Sequence, residues 1–205
     1  MVEILKYIYF PSRKLVIYLH GGPRFNIYKE DEDPFVWFLL KNKVNVIVIN
    51  YPFVPREGGN IDLKFIRRKI LSLMEIYDEY IFYILGDSYG GYLASLLIDM
   101  PNIRQIIVVS GFISLKYQYI FSTERLWLRE YMSENAIDFF EISKGKTAIP
   151  PIIFIQGSLD KAVPITQFSI MQNNIKLKKL MGFKHREKGK KLNKVLKEVL
   201  RQINK

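Results

Sequence analysis

The sequence contains no cysteine and only two histidines, His20 and His185, among its 205 residues. The first absence excludes disulfides, thiol nucleophiles and cysteine-ligated metals. The second leaves too few imidazoles for a histidine-rich metal centre. No apolar run reaches the length needed to span a bilayer. The opening stretch MVEILKYIYFPSRK carries Glu3 and Lys6 among its apolar residues and does not read as a secretory signal. Glycine shows no period, and 49% hydrophobic against 25% charged residues argues against a disordered chain. These features point to a soluble, cytoplasmic protein with one domain over residues 1–205.

Net charge is also nearly absent from most of the chain. The net charge is +11, yet residues 176–205 hold twelve Lys and Arg against Glu187 and Glu198 alone, a net of +10. The preceding 175 residues carry 19 basic and 18 acidic side chains. Within the basic segment, Leu192, Val195, Leu196, Val199, Leu200 and Ile203 follow helical spacing and leave a lysine-rich opposite face. That face reads either as solvated surface or as a contact for an anionic surface. No specific nucleic-acid partner is expected.

What the chain does contain is a rhythm of strand-length apolar runs. These are Val2–Phe10, Lys14–Leu19, Val44–Asn50, Tyr80–Leu85, Arg104–Val109, Ile152–Ile155 and Lys176–Leu180. Several are apolar almost throughout, as strands covered on both faces require. Helical patterns fall between them. Asp33-Pro34 is an N-cap and first-turn proline ahead of Phe35–Lys41. Asp62–Tyr80, Ser88–Met100, Pro164–Asn173 and part of 123–141 also read as helical. The expected fold is α/β, a mostly parallel twisted sheet of about seven strands with helices on both faces. The segment 111–150 is long and aromatic-rich, and reads either as a small cap or as an ordinary crossover with packed aromatics.

Gly86-Asp87-Ser88-Tyr89-Gly90 follows an apolar strand and opens a helix. A G-x-S-x-G elbow places serine on a tight strand-to-helix turn, and the flanking glycines avoid collision with neighbouring backbone. Upstream, His20-Gly21-Gly22-Pro23 follows the strand Lys14–Leu19. There the N–H of Gly22, with that of Tyr89, could hold an oxyanion. His20 is a conceivable base, although in such a loop it more commonly orients the backbone. A serine nucleophile needs a base and an orienting acid, in the order Ser, Asp, His for this elbow. Only His185 follows Ser88. Asp160, on the loop after Ile152–Ile155, is the candidate acid, with Asp138 as its rival.

These residues resemble the catalytic domain of the prolyl oligopeptidase family, in the α/β-hydrolase superfamily, and especially its acylaminoacyl-peptidase-like branch. The HGGP loop at residues 20–23, the G-x-S-Y-G-G-Y elbow at 86–92 and the acid loop with Gly157, Asp160, Val163, Pro164 and Gln167 carry the resemblance. It implies Ser88 as nucleophile, Asp160 and His185 as its partners, and Gly22 with Tyr89 as oxyanion donors. His20, Gly21, Gly86 and Gly90 would support the loops. Gln156 stands where the family often has histidine, and Arg186 and Glu187 follow His185 where small residues are usual. The family's β-propeller has no counterpart in a chain of this length.

The expected activity is therefore hydrolysis of carboxylic esters or small amide or peptide bonds through an acyl-enzyme, with no metal or organic cofactor. The substrate would be a small ester or short peptide. An acyltransferase on the same scaffold and a non-catalytic binding module docking through the basic helix are the alternatives. Phe25, Phe53 and Phe112 read either as core or as walls of an acyl pocket. The acidic run at residues 30–33 reads as a solvated loop ending in a helix cap, or as an attraction for a cationic group.

Overall fold

Alternation along the inner strands decides the architecture. A computed structural model describes residues 3–22, 26–133, 136–144, 150–170 and 175–205. Its strands are β1 (Ile4–Tyr7), β2 (Lys14–Leu19), β3 (Asn45–Ile49), β4 (Ile81–Asp87), β5 (Ile103–Val109), β6 (Ile152–Gly157) and β7 (Ile175–Leu180). They form a seven-stranded sheet in the order β1-β3-β2-β4-β5-β6-β7. Every neighbouring pair is parallel except β1 with β3. Successive side chains of a strand point to opposite faces. Accordingly Leu15, Ile17, Ile47, Ile49, Phe82, Ile84, Ile106 and Val108 enter one core. Their neighbours Val16, Tyr18, Val46, Val48, Tyr83, Leu85, Ile107 and Val109 enter the other.

The helices divide between those cores. On the first face lie α2 (Asn60–Ile76), through Leu63, Ile66, Ile70 and Leu73, and α3 (Ser88–Ser95), through Tyr92 and Leu93. The short helices α4 (Leu115–Phe121), α5 (Arg125–Tyr131) and α6 (Phe139–Ser143) add Leu115, Leu128, Tyr131 and Phe139 to it. On the second face lie α1 (Pro34–Lys41), through Phe35, Val36 and Leu39, and α7 (Gly189–Ile203), through Val195, Leu196, Val199 and Ile203. Each fully buried Leu, Ile or Val contributes about 1.5–3 kcal/mol relative to an exposed one. Asp33 caps α1 by accepting the N–H groups of Phe35 at 2.8 Å and Val36 at 3.3 Å. Pro34 supplies the first turn, as expected. The edge strand β7 keeps Lys176, Leu177, Lys178 and Lys179 exposed.

Several helix boundaries differ from the expectations. The run Ser88–Met100 is helical only to Ser95, because N–H to C=O bonds from Leu96 to Leu93 and Leu97 to Ala94 tighten the chain into i to i+3 turns. The helical pattern over 123–141 breaks where Met132 adopts extended backbone (φ −60°, ψ 136°) at the end of α5. The preceding helix α4 lies outside that pattern altogether. The long helix covers Asn60–Ile76 rather than Asp62–Tyr80, and Pro164–Asn173 is a 3₁₀ turn over Ile165–Ile170. Residues 171–173 of that pattern, and Pro23, Phe25, 134–135 and 145–149, lie outside the described residues. No helix among the described residues is long and apolar enough to cross a membrane.

Candidate active site

Ser88 stands where β4 passes into α3 without an intervening loop. Its φ of 50° is left-handed, a conformation that costs an L-residue about 1–2 kcal/mol. The turn is held tight by the packing around it. A Cβ at Gly86 would overlap the carbonyl of Gly90, and a Cβ at Gly90 would overlap the carbonyls of Leu19 and His20. Only glycine lets β4, α3 and the loop after β2 approach so closely.

His185, on the connection between β7 and α7, brings Nε2 to 3.0 Å from Ser88 Oγ. Its Nδ1 lies 2.9 Å from Asp160 Oδ2. With Nδ1–H donating to the carboxylate, Nε2 is left to accept the serine O–H. Asp160 is buried, and its Oδ1 accepts the backbone N–H of Val163 at 2.7 Å. Gln156 donates from Nε2 to Asp160 Oδ2 and to the carbonyl of Val163, both at 2.8 Å. Gln156 thus fixes the acid loop at the position where the resembling family often has histidine. Leu159 N–H donates to the Phe183 carbonyl at 2.8 Å, and Gly182 N–H to Ser158 Oγ at 2.8 Å, so the acid and histidine loops are tied together. Burial opposes a charge on His185, but its hydrogen bond to Asp160 and the charges of Asp160, Asp87 and Glu124 outweigh it. Its pKa lies above the ordinary 6.5.

The other expected loop residues gather beside this group. His20 is fully buried, its Nδ1 is 2.9 Å from the Gly21 carbonyl, and its ring stacks on Tyr51 at 4.7 Å. Tyr51 donates its O–H to the His20 carbonyl at 2.5 Å. Burial lowers the His20 pKa to about 4, so the ring is neutral at neutral pH. A Cβ at Gly22 would overlap the Phe53 ring and come 3.4 Å from Tyr89 Cβ, so Gly22 and Tyr89 are neighbours. Phe53 and Phe112 are buried core residues. Asp138 accepts the Ser114 O–H at 3.0 Å at the start of α6.

Sequence reasoning missed two carboxylates. Asp62, fully buried in the first turn of α2, accepts the Tyr89 O–H at 2.9 Å and the Val54 N–H at 3.3 Å. Burial raises its pKa to about 6. Asp87 lines an open cleft of about 420 Å³ together with Gly21, Gly22, Asp33, Ser88, His185 and Arg186. The only sequence signal for Asp87 was its place inside the elbow motif. No group of three or more His, Cys, Asp or Glu that could hold a metal occurs among the described residues.

No family model matches the chain. It is 28% identical over 110 residues to the kynurenine formamidase of Salmo salar, a match that covers 49% of this chain and 37% of that protein. The chain therefore spans well under half the length of this curated relative. Among solved structures, an acylaminoacyl peptidase bound to Z-Gly-Gly-Phe-chloromethyl ketone superposes with a TM-score of 0.77 at 17% identity. That superposition covers 98% of this chain and 38% of the peptidase. An esterase of Pyrococcus furiosus gives a TM-score of 0.68 at 18% identity, covering 94% of this chain and 81% of the esterase. The fold is that of the α/β-hydrolases, as the sequence motifs implied.

Proposed function

We propose that this protein is a serine hydrolase that cleaves carboxylic esters or small amides through Ser88, His185 and Asp160. The observation that carries the reading is the continuous chain from Ser88 Oγ to His185 Nε2 at 3.0 Å and from His185 Nδ1 to Asp160 Oδ2 at 2.9 Å, built on a left-handed serine. Ser88 Oγ attacks the substrate carbonyl while Nε2 takes its proton. Asp160 holds the imidazole tautomer and stabilises the imidazolium that forms. The N–H groups of Gly22 and Tyr89 receive the oxyanion, and the positive end of α3 adds to that field. Collapse of the tetrahedral intermediate breaks the ester or amide bond, and His185 returns the proton to the leaving oxygen or nitrogen. Water, deprotonated by His185, then attacks the acyl-enzyme and releases the acid and free Ser88.

The names of the related proteins support both bond classes, since they include an esterase, a peptidase and a formamidase. A substrate panel therefore spans p-nitrophenyl esters of increasing chain length, formamides and N-acyl amino acid amides. Treatment of the native protein with a fluorophosphonate, followed by mass spectrometry of the modified peptide, tests the reading. Modification at Ser88 that is lost in Ser88→Ala and His185→Ala is expected. A folded sample that takes no label would overturn it.

A further inference from the structure

Asp87 lines the candidate site without an assigned task. It is the last residue of β4 and immediately precedes Ser88, so the two Cα atoms are about 3.8 Å apart. Its side chain turns toward the glycine loop after β2, where a Cβ placed on Gly21 would come 2.9 Å from Asp87 Oδ2. The same carboxylate borders a second, smaller cavity with Phe35, Phe183 and His185, so both openings meet at it. Among the described residues the Asp87 side chain makes no hydrogen bond and no ion pair. The neighbouring acids are engaged. Asp33 accepts the Tyr18 O–H at 2.9 Å and caps α1, and Asp160 holds His185.

Asp87 is only partly buried and opens on the cleft, so a donor that enters can meet its carboxylate. The charged or titratable groups around Asp87 are His185, Arg186, Asp33, Asp160 and the buried hydroxyls of Tyr18 and Tyr51. Protonated His185 and Arg186 favour its ionised form, while Asp33 and Asp160 oppose it. Arg186 is exposed and forms no ion pair among the described residues, so its charge is screened by solvent. A cationic donor that enters the cleft can therefore reach Asp87.

We infer that Asp87 is a specificity-determining residue that receives a cationic nitrogen of the substrate within a few bonds of the carbonyl attacked by Ser88. The inference rests on the hydrolase reading above and names the substrate class for that site: acyl compounds bearing an ammonium group close to the scissile bond. At pH 8 the carboxylate, which burial pushes up to about 7, is ionised.

Two isosteric esters make the test, p-nitrophenyl 3-aminopropanoate and p-nitrophenyl butanoate, assayed at pH 8 with spontaneous hydrolysis subtracted. The ratio of their kcat/KM values, cationic over neutral, is compared between variants so that intrinsic ester reactivity cancels. The ratio is expected to fall at least tenfold in Asp87→Asn, to recover in large part in Asp87→Glu, and to persist or rise in Arg186→Ala. An unchanged ratio in Asp87→Asn overturns the inference. So does an equal fall on both esters, which would assign Asp87 to supporting the imidazolium of His185. If Asp87→Asn does not fold, inhibition of wild-type butanoate cleavage by propylammonium but not by 1-propanol makes the same distinction, and equal inhibition overturns the proposal. A wild-type protein that cleaves neither ester and takes no fluorophosphonate at Ser88 removes the hydrolase reading itself.

Discussion

Tyr89 reaches from the residue after Ser88 to Asp62 on α2, donating its O–H to Oδ2 at 2.9 Å. Asp62 also accepts the N–H of Val54, next to the Phe53 ring that packs on Gly22. One buried carboxylate thus braces both segments proposed to supply the oxyanion donors. Its acidity gives the first prediction. A carboxyl raised from 3.8 to about 6 contributes stability that is complete below pH 3.8 and lost as pH rises through about 6. Asp62→Asn, which keeps an acceptor for Tyr89, removes that dependence. Denaturant melts at several pH values are expected to show wild type gaining on the variant by up to about 3 kcal/mol between pH 8 and pH 4. Comparing the two proteins at each pH cancels the opposing effect of His20. A constant difference across that range would disprove the account.

The strain at Ser88 supplies the second. Glycine adopts a φ of 50° without the penalty that serine incurs, although it loses more backbone entropy on folding. Ser88→Gly should therefore raise stability by about 1 kcal/mol, which for a chain of this size is about 2–4 °C in Tm. The same variant should lose esterase activity. Lower stability in calorimetry would mean that the serine side chain contributes more to packing than its conformation costs.

Ester hydrolysis should depend on a neutral His185. Because its pKa is raised, kcat/KM is expected to climb with pH through a midpoint above 6.5. Asp160→Asn should lower kcat by about 10⁴-fold, the loss expected when the acceptor of Nδ1–H is replaced by an amide. Asp87→Asn should move the midpoint to lower pH, since the Asp87 charge favours the imidazolium. A rate profile that is flat from pH 6 to 9 in the wild type would remove His185 as the base.

The edge strand β7 supports a prediction about solubility. Its exposed Lys176, Lys178 and Lys179 interrupt an edge whose free N–H and C=O groups could otherwise pair with another chain. Replacing Lys176 and Lys179 with valine leaves IVLKVL there and should bring forward the onset of light scattering on heating, with little change in ester kinetics. Unaltered scattering would show that the edge is protected by something other than these charges.

The elements and the chemistry were not equally legible in the sequence. The seven strands could be read because their inner members are apolar on both faces, and the Ser88 elbow because its glycines answer a constraint within five residues. The end of α3 could not be read. Leu96, Leu97, Ile98 and Met100 are apolar because they are buried, while their backbone has already tightened out of the α-helix, and burial leaves the same composition in either conformation. The brace from Tyr89 to Asp62 was equally hidden, since it joins residues 27 apart through the packing of α3 against α2. Gln156 was visible only as a departure from the expected histidine, and its two hydrogen bonds give that departure a use.

The division of each inner strand between two cores also limits how the elbow can change by insertion or deletion. Along β4, Phe82 and Ile84 belong to one core and Tyr83 and Leu85 to the other. Loss or gain of one residue would exchange these pairs between the helices of opposite faces. A change of two residues would keep every side chain on its own face while carrying Ser88 about 6.6 Å along the strand. The reach of the serine toward His185 is therefore quantised. Lineages of this fold can lengthen or shorten the strand under it in pairs of residues, and intermediate lengths would have to rebuild both cores at once.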